Sequence, residues 1–298
     1  MSVGQRADSY QKNQKTNKCN LQCRFCYNYG ELDAIEPVGE GIWVIGGTKF
    51  YENDIDLLLE IHKKPTGVAY VYLEPFMEIE KYYNIIQKFN KAGIYQHLYT
   101  NGTLATETTL KALGEAGLNE LRFNLGASGC ADKVIENIGI AKKYIKKVGI
   151  ETPMTNEFFE KFFLKKQAVL DTGLDFINCA ELHLNPNNIE NYWGEKMYIA
   201  RHGYISPIWS RELTLRFMAA AAKEKWNLVV HDCSNDTKFA RALNLGTKEG
   251  KWFGASSYTS EFLEIPYAVF LPVLRDEEFH FLVEEELPSG YNPGEMLF

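Results

Sequence analysis

Apolar residues recur along the chain in two alternating rhythms, one at helical spacings and one in short strand-like runs. Asn53 to Lys64 carries Ile55, Leu58, Leu59 and Ile61 on one stripe, with an Asn or Asp cap before it and Pro65 after it, so a helix is predicted there. Val68 to Leu73 reads as a short strand. The beat continues with helix Met77 to Lys91, strand Tyr95 to Thr100, helix Thr106 to Ala116 stopped by Gly117, and strand Glu120 to Leu125. Helix Lys133 to Lys147, strand Gly149 to Met154, helix Glu157 to Asp171 and strand Asp175 to Leu184 follow, then helix Arg211 to Lys225 and strand Asn227 to Cys233. Strands separated by single helices imply right-handed crossovers and a parallel sheet. Past Leu245 the beat stops, and Tyr267 to Leu274 with Glu278 to Glu284 read as a β-hairpin joined across Arg275 to Glu277. The expected fold is α/β, a partial or full (β/α) barrel of TIM type over 1–244, with a C-terminal extension over 245–298 that holds the hairpin.

Parallel strands covered on both faces read as continuous apolar runs, and these do not. In Val68 to Pro75, Ala69, Val71 and Leu73 oppose Tyr70, Tyr72 and Glu74; in Asp175 to Leu184, Phe176, Leu182 and Leu184 oppose Ile177, Cys179, Glu181 and His183. Arg122 and Asn124 oppose Leu121 and Phe123, Glu151 opposes Ile150, and Val229, His231 and Cys233 share a face. A buried polar group without a partner costs roughly 1 to 3 kcal/mol, so the apolar faces are expected under helices and the polar faces around a cavity. Barrel chemistry gathers at strand C-terminal ends, where Glu74, Thr100, His183 and Cys233 fall.

Composition narrows the class. With 298 residues, 45% of them hydrophobic, the chain can bury a large core, which excludes a disulfide-stapled miniprotein and a disordered segment. Its net charge of 32 − 39 = −7 repels a nucleic-acid backbone on average. The first 18 residues carry no apolar signal core, and the longest clean apolar runs, such as Tyr267 to Leu274, fall well short of the roughly 18 residues that cross a bilayer. A cytoplasmic protein without a membrane partner is expected. The Lys-rich stretches Lys142 to Lys147 and Lys161 to Lys166 read as solvated helix faces.

Three of the six cysteines change the picture. Cys19, Cys23 and Cys26 form C-x3-C-x2-C within TNKCNLQCRFCYNYG. Soft thiolates from one loop suit an iron–sulfur cluster or zinc. Structural zinc takes four protein ligands, and no second pair stands nearby in sequence; three ligands leave one coordination site open. This spacing, with an aromatic residue just before the last cysteine, resembles the signature of the radical S-adenosylmethionine (radical SAM) superfamily. The resemblance spans about Lys18 to Cys233 and implies a full or partial (β/α) barrel.

It also implies that Cys19, Cys23 and Cys26 hold a 4Fe-4S cluster whose unique iron takes the amino and carboxylate groups of S-adenosylmethionine, with Phe25 near the adenine. The reaction so implied is one-electron cleavage to methionine and a 5′-deoxyadenosyl radical, then hydrogen abstraction, an oxidoreductase or isomerase chemistry fed by a donor such as flavodoxin or ferredoxin. Tyr72-Leu73-Glu74-Pro75 keeps Glu and Pro of the family's Gly-Gly-Glu-Pro motif but neither glycine, and Glu74 takes the role of reaching the cofactor's amino group. Thr100 and Asn101 are similar to third-strand residues that shape the cofactor site, Asn124 to a ribose contact, and Arg122 to a carboxylate partner; Glu151 joins them on the cofactor side. Glu181, His183, His231 and Cys233 match no family motif and are candidates on the substrate side, with the histidines as acid or base and Cys233 as a hydrogen-atom donor. Cys179 and Cys233 together offer a second cluster as the alternative. The first functional reading is an enzyme acting on a small molecule or peptide. The second is an activating enzyme that abstracts hydrogen from a glycine of a partner protein, since the compact, cysteine-poor core resembles pyruvate formate-lyase activating enzymes and their relatives. The third is a non-enzymatic zinc module.

Overall fold

In a computed structural model of the chain, the described residues are 19–29, 41–45, 48–61, 67–70, 73–199 and 205–234. The expected C-terminal hairpin and the boundary at 244/245 lie outside them. Two short strands, β1 (Ile42–Ile45) and β2 (Thr48–Tyr51), pair antiparallel before helix α1 (Ile55–Ile61). Then the alternation runs β3 (Val68–Tyr70), α2 (Glu80–Lys91), β4 (Gln96–Thr100), α3 (Glu107–Ala116), β5 (Glu120–Phe123), α4 (Asp132–Ala141), β6 (Lys147–Pro153), α5 (Asn156–Leu170) and β7 (Phe176–Ala180). A small antiparallel pair, β8 (Met197–Ile199) and β9 (Ile205–Pro207), precedes α6 (Ile208–Glu224) and β10 (Val229–Cys233). Six strands form one sheet in the order β10-β7-β6-β5-β4-β3, in which β10 pairs with β7, β3 with β4, β4 with β5 and β5 with β6, all parallel. This is the mixed α/β architecture of a partial (β/α) barrel, as the alternation predicts.

Local signals set the boundaries. Helix α3 opens on a capping box, in which Thr106 Oγ1 accepts from the Thr109 N–H and the Thr106 N–H donates to Thr109 Oγ1. It closes on Gly117 at φ +95°, where a Cβ would meet Asn90 Nδ2 at 2.2 Å. The predicted helix to Lys147 instead stops at Ala141, and Lys147 already belongs to β6. The predicted strand from Asp175 to Leu184 is likewise cut to Phe176–Ala180.

The chain divides into two compact units: the first holds the described residues within 1–22, 31–150 and 165–175, the second those within 23–30, 151–164 and 176–298. In the first unit, Tyr70, Leu98, Leu121 and Phe123 are buried. Tyr70 Oη donates to Gln96 Oε1 at 2.7 Å, Gln96 Nε2 donates to Ile86 O of α2, and the Tyr70 and Tyr82 rings meet edge to face. The expected assignment of faces therefore reverses on β3. Its polar Tyr70 lies under a helix, because a satisfied hydrogen bond removes the cost of burying it. In the second unit, Phe158, Phe162 and Phe163 of α5 pack against Phe217 and Trp226.

The opposite face of β4 and β5 carries a buried polar cluster. Register pairs His97 with Glu120 and Tyr99 with Arg122, placing all four on one side. Glu120 accepts from both Tyr95 Oη and Arg122 Nε, and Arg122 Nη1 donates to Tyr99 Oη at 2.6 Å. His97 is fully buried beside them, and neither ring nitrogen has a hydrogen-bond partner among the described residues. Burial first and the Arg122 charge second push its pKa down from 6.5 to about 2. Between those values the unfolded chain binds a proton that the folded chain does not, so this contribution is whole above pH 6.5 and is lost as pH falls below it. His97→Leu is expected to flatten the acid limb of the stability curve by up to about 1.4 kcal/mol per pH unit. Denaturant unfolding at a series of pH values from neutral downward checks this, and an unchanged slope would contradict it.

Candidate active site

Within the first unit, the end of β3 and the end of β4 build one polar cluster around Glu74. Leu73 turns the chain at φ +52°, a left-handed conformation in a position where the resembled motif has glycine. The Glu74 carboxylate, 1% exposed, then accepts from the Phe76 N–H at 3.1 Å and Thr100 Oγ1 at 2.7 Å on Oε1, and from the Asn101 N–H at 2.6 Å on Oε2. Burial raises its pKa, and the three donors pull it back. Asn101 extends the cluster. Its Nδ2 donates to Asn20 Oδ1 at 2.9 Å and lies 3.8 Å from Cys19 Sγ, while its Oδ1 accepts from Thr103 N–H and Oγ1. Asn20 Nδ2 in turn donates to Thr103 Oγ1 at 2.8 Å. Glu74, Thr100 and Asn101, singled out in the sequence, thus belong to one hydrogen-bonded group that reaches the first cysteine.

Asn124 and Arg122 are placed differently. Asn124 Oδ1 accepts from the Ala127 N–H at 3.1 Å and caps the turn after β5. Arg122 is 7% exposed, with its guanidinium paired to Glu120 and lying 5.2 Å from the Tyr99 ring centroid.

Within the second unit, Cys23 and Cys26 share a tight turn, with the Cys26 N–H donating to Cys23 O at 2.9 Å and the Tyr29 N–H to Cys26 O at 3.1 Å. The Asn28 N–H points at Cys26 Sγ at 3.4 Å. Burial pushes the Cys26 thiol up, and that N–H lowers it again. Three further carbonyls of the loop are taken by asparagines that sequence reasoning missed. Asn185 and Asn187 each donate Nδ2 to Tyr27 O at 2.9 Å, Asn188 Nδ2 donates to Phe25 O at 3.1 Å, and Asn191 Nδ2 donates to Arg24 O at 2.9 Å. The signal was present as four asparagines between 185 and 191.

Of the substrate-side candidates, His231 and Cys233 share one face of β10, and Glu181 and His183 follow the end of β7. Asn178 is level with His231, and Cys179 with Asp232, so Cys233, level with Ala180, lies on the face opposite Cys179. Cys179 is fully buried on the side where Asp232 pairs with Arg211 of α6 at 2.9 Å. This register lends no support to a second cluster held jointly by Cys179 and Cys233. The predicted joint polar face of Ile177, Cys179, Glu181 and His183 also fails, since Ile177 and Cys179 are core residues. Glu151 accepts from Asn178 Nδ2 at 2.9 Å. Glu181, 2% exposed, accepts from Tyr198 Oη, and the His183 ring meets Tyr27 edge to face.

Three thiols within eight positions, two of them approached by N–H donors, are chemically the donor set of an iron–sulfur cluster. Among the described residues no three His, Cys, Asp or Glu side chains are gathered as a ready metal cage, and Cys19 belongs to the first unit while Cys23 and Cys26 belong to the second. The fit rests on donor chemistry.

Comparison with known proteins agrees with that chemistry. The family model described as the radical SAM superfamily matches residues 13–162, half of the chain. An uncharacterized protein of Methanocaldococcus jannaschii is 28% identical over 141 residues, 44% of this chain and 42% of that protein. The tungsten-containing aldehyde ferredoxin oxidoreductase cofactor-modifying protein of Pyrococcus furiosus is 24% identical over 202 residues, 59% of this chain and 52% of the other. A second M. jannaschii protein, bearing the name of a glycyl-radical enzyme activating enzyme, is 30% identical over 131 residues, 41% of this chain and 35% of that one. The chain thus spans about half or less of the length of these relatives. Its fold is similar to that of Streptococcus suis SuiB, with a TM-score of 0.52 at 15% identity against the structure bound to S-adenosylmethionine, covering 72% of this chain and 48% of that one. Against SuiB bound to the precursor peptide SuiA the TM-score is 0.53, over 76% and 50%. The chain belongs to the radical SAM superfamily, and so is an enzyme of the class that uses a four-iron, four-sulfur cluster and S-adenosylmethionine.

Proposed function

We propose that Cys19, Cys23 and Cys26 hold the cluster, that Glu74 receives the amino group of S-adenosylmethionine, and that the enzyme abstracts hydrogen from a small-molecule or peptide substrate. When bound, the cluster supplies one electron that cleaves S-adenosylmethionine to methionine and a 5′-deoxyadenosyl radical. The observation that carries the reading is the state of Glu74. An ionised carboxylate has about four acceptor sites, and donors among the described residues take three, so a fourth, on Oε2, suits an ammonium group. The carboxylate is held rigid before any ligand arrives, and Asn101 ties it to the segment bearing Cys19. Thr100 orients one oxygen; Asn101 orients the other and directs an N–H at the Cys19 thiol.

On the substrate side, Cys233 ends β10 on the same face as His231, a placement that supports a thiol returning a hydrogen atom to a substrate radical. His183, His231 and Glu181 are the further substrate-side candidates. Phe25, in the cysteine loop, is assigned to the adenine. A flavodoxin or ferredoxin is proposed as the electron source. The activating-enzyme reading is kept as the second one, because the chain is 30% identical over 131 residues to an M. jannaschii protein that bears such a name.

Anaerobically reconstituted protein is expected to bind about four irons and, with dithionite and S-adenosylmethionine, to release 5′-deoxyadenosine. Cys19→Ala, Cys23→Ala and Cys26→Ala should each abolish that release; zinc bound without iron would overturn the reading. Glu74→Gln should keep its iron while raising KM for S-adenosylmethionine on the order of tenfold to a hundredfold, the worth of one charge-assisted hydrogen bond. An unchanged KM removes Glu74 from the cofactor site. Cys233→Ala should leave cleavage intact and stop the hydrogen-return product; unaffected product formation disposes of the donor role. A glycine-centred radical on a partner protein, seen by electron paramagnetic resonance, would select the second reading.

A further inference from the structure

The segment Asn-Pro-Asn-Asn-Ile-Glu-Asn at 185–191 follows β7 in the second unit, and its side chains hold the cysteine loop. That loop makes few bonds of its own, so its carbonyls need outside donors. Asn188 supplies them from a fully buried position. Its Nδ2 donates to both Phe25 O and His183 O at 3.1 Å, and its Oδ1 accepts from the Asn185 N–H at 2.8 Å. Both amide hydrogens are therefore spent on bridging the cysteine loop to the strand exit. At one end of the loop the contact is reciprocal: Asn191 Nδ2 donates to Arg24 O, and the Arg24 guanidinium donates back to Asn191 O at 2.6 Å. The same guanidinium lies 6.0 Å from the Tyr192 ring centroid. At the other end the contact is redundant, since Asn185 and Asn187 share Tyr27 O.

Water could satisfy these carbonyls equally well in energy, but it would not fix where they sit. Side-chain amides anchored at a strand end do both. We infer that residues 185–191 form a positioning clamp for the cluster loop, which sets how firmly Cys23 and Cys26 retain metal and at what potential the bound cluster is reduced. Potentials of iron–sulfur sites respond to the hydrogen bonding and exposure of their sulfurs, and outer partners of metal ligands commonly control affinity. The orientation of the Asn28 N–H toward Cys26 Sγ depends on the same loop conformation. The inference rests on the proposed ligation by these cysteines and adds to it residues that touch neither metal nor cofactor.

The test uses the full chain, reconstituted with iron and sulfide. Asn188→Asp keeps the side chain's size and an acceptor but removes both donors, while Asn188→Ala removes everything. Both are expected to lose iron to a chelator on the order of tenfold faster than the natural protein and to shift the midpoint potential measured by redox titration. Asn187→Ala alone should behave as the natural protein, because Asn185 still serves Tyr27 O, whereas the Asn185→Ala/Asn187→Ala pair should lose iron faster. If the Asn188 variants fail to fold, as judged by far-ultraviolet circular dichroism of the iron-free chains, that pair and Asn191→Ala decide the matter. Natural protein that takes up iron alongside folded variants with equal retention and equal potential would overturn the clamp alone. Natural protein that takes up no iron would overturn the ligation and the clamp with it.

Discussion

A carboxylate taken out of water must find donors for its charge or accept a proton, and Glu74 meets that demand with three donors from two separate segments. Everything around the site in the first unit follows from this arrangement. The Phe76 N–H ties the carboxylate to the turn after β3, and Thr100 and Asn101 tie it to the end of β4. Asn101 then passes the constraint on through Asn20 and toward the Cys19 thiol. The left-handed turn at Leu73 is what this geometry costs, since a branched side chain occupies a conformation that glycine adopts freely.

The second unit solves a related problem with related chemistry. A cysteine loop without regular secondary structure leaves carbonyls to satisfy, and asparagine amides do so from one short segment. Amide side chains thus act on both pieces of the cysteine motif, through a direct N–H toward Cys19 in the first unit and through the main chain around Cys23 and Cys26 in the second. Asparagine suits the task because one short side chain carries two donors and an acceptor without a charge that would compete with the thiolates.

The alternation of strands and helices was legible in the sequence because each helix carries its own stripe and stop signals, as Thr106 and Gly117 do for α3. The grouping of Glu74 with Thr100 and Asn101 was legible because these residues fall at the ends of neighbouring strands. Strand faces were not, on β3 and β7, because polarity alone does not say which side is covered. Tyr70 is polar yet lies beneath α2 once Gln96 satisfies its hydroxyl, and Cys179 is core. The early end of α4 at Ala141 was hidden for a similar reason, since apolar Ile145 continues the helical spacing but is buried in the turn into β6. The ion pair that holds Arg122 requires Glu120 two residues away on the same strand face, which becomes a partnership only when both are buried. The asparagine segment was visible as composition but meaningless without knowing which carbonyls it meets.

The account stands on three thiolates presenting an iron–sulfur cluster with one iron left for S-adenosylmethionine. Mössbauer spectroscopy of protein loaded with iron-57, recorded before and after adding S-adenosylmethionine, reads that iron directly. The account predicts that a single iron site of the four changes its isomer shift and quadrupole splitting while the others stay as they were. A spectrum in which all irons are indifferent to S-adenosylmethionine would contradict it.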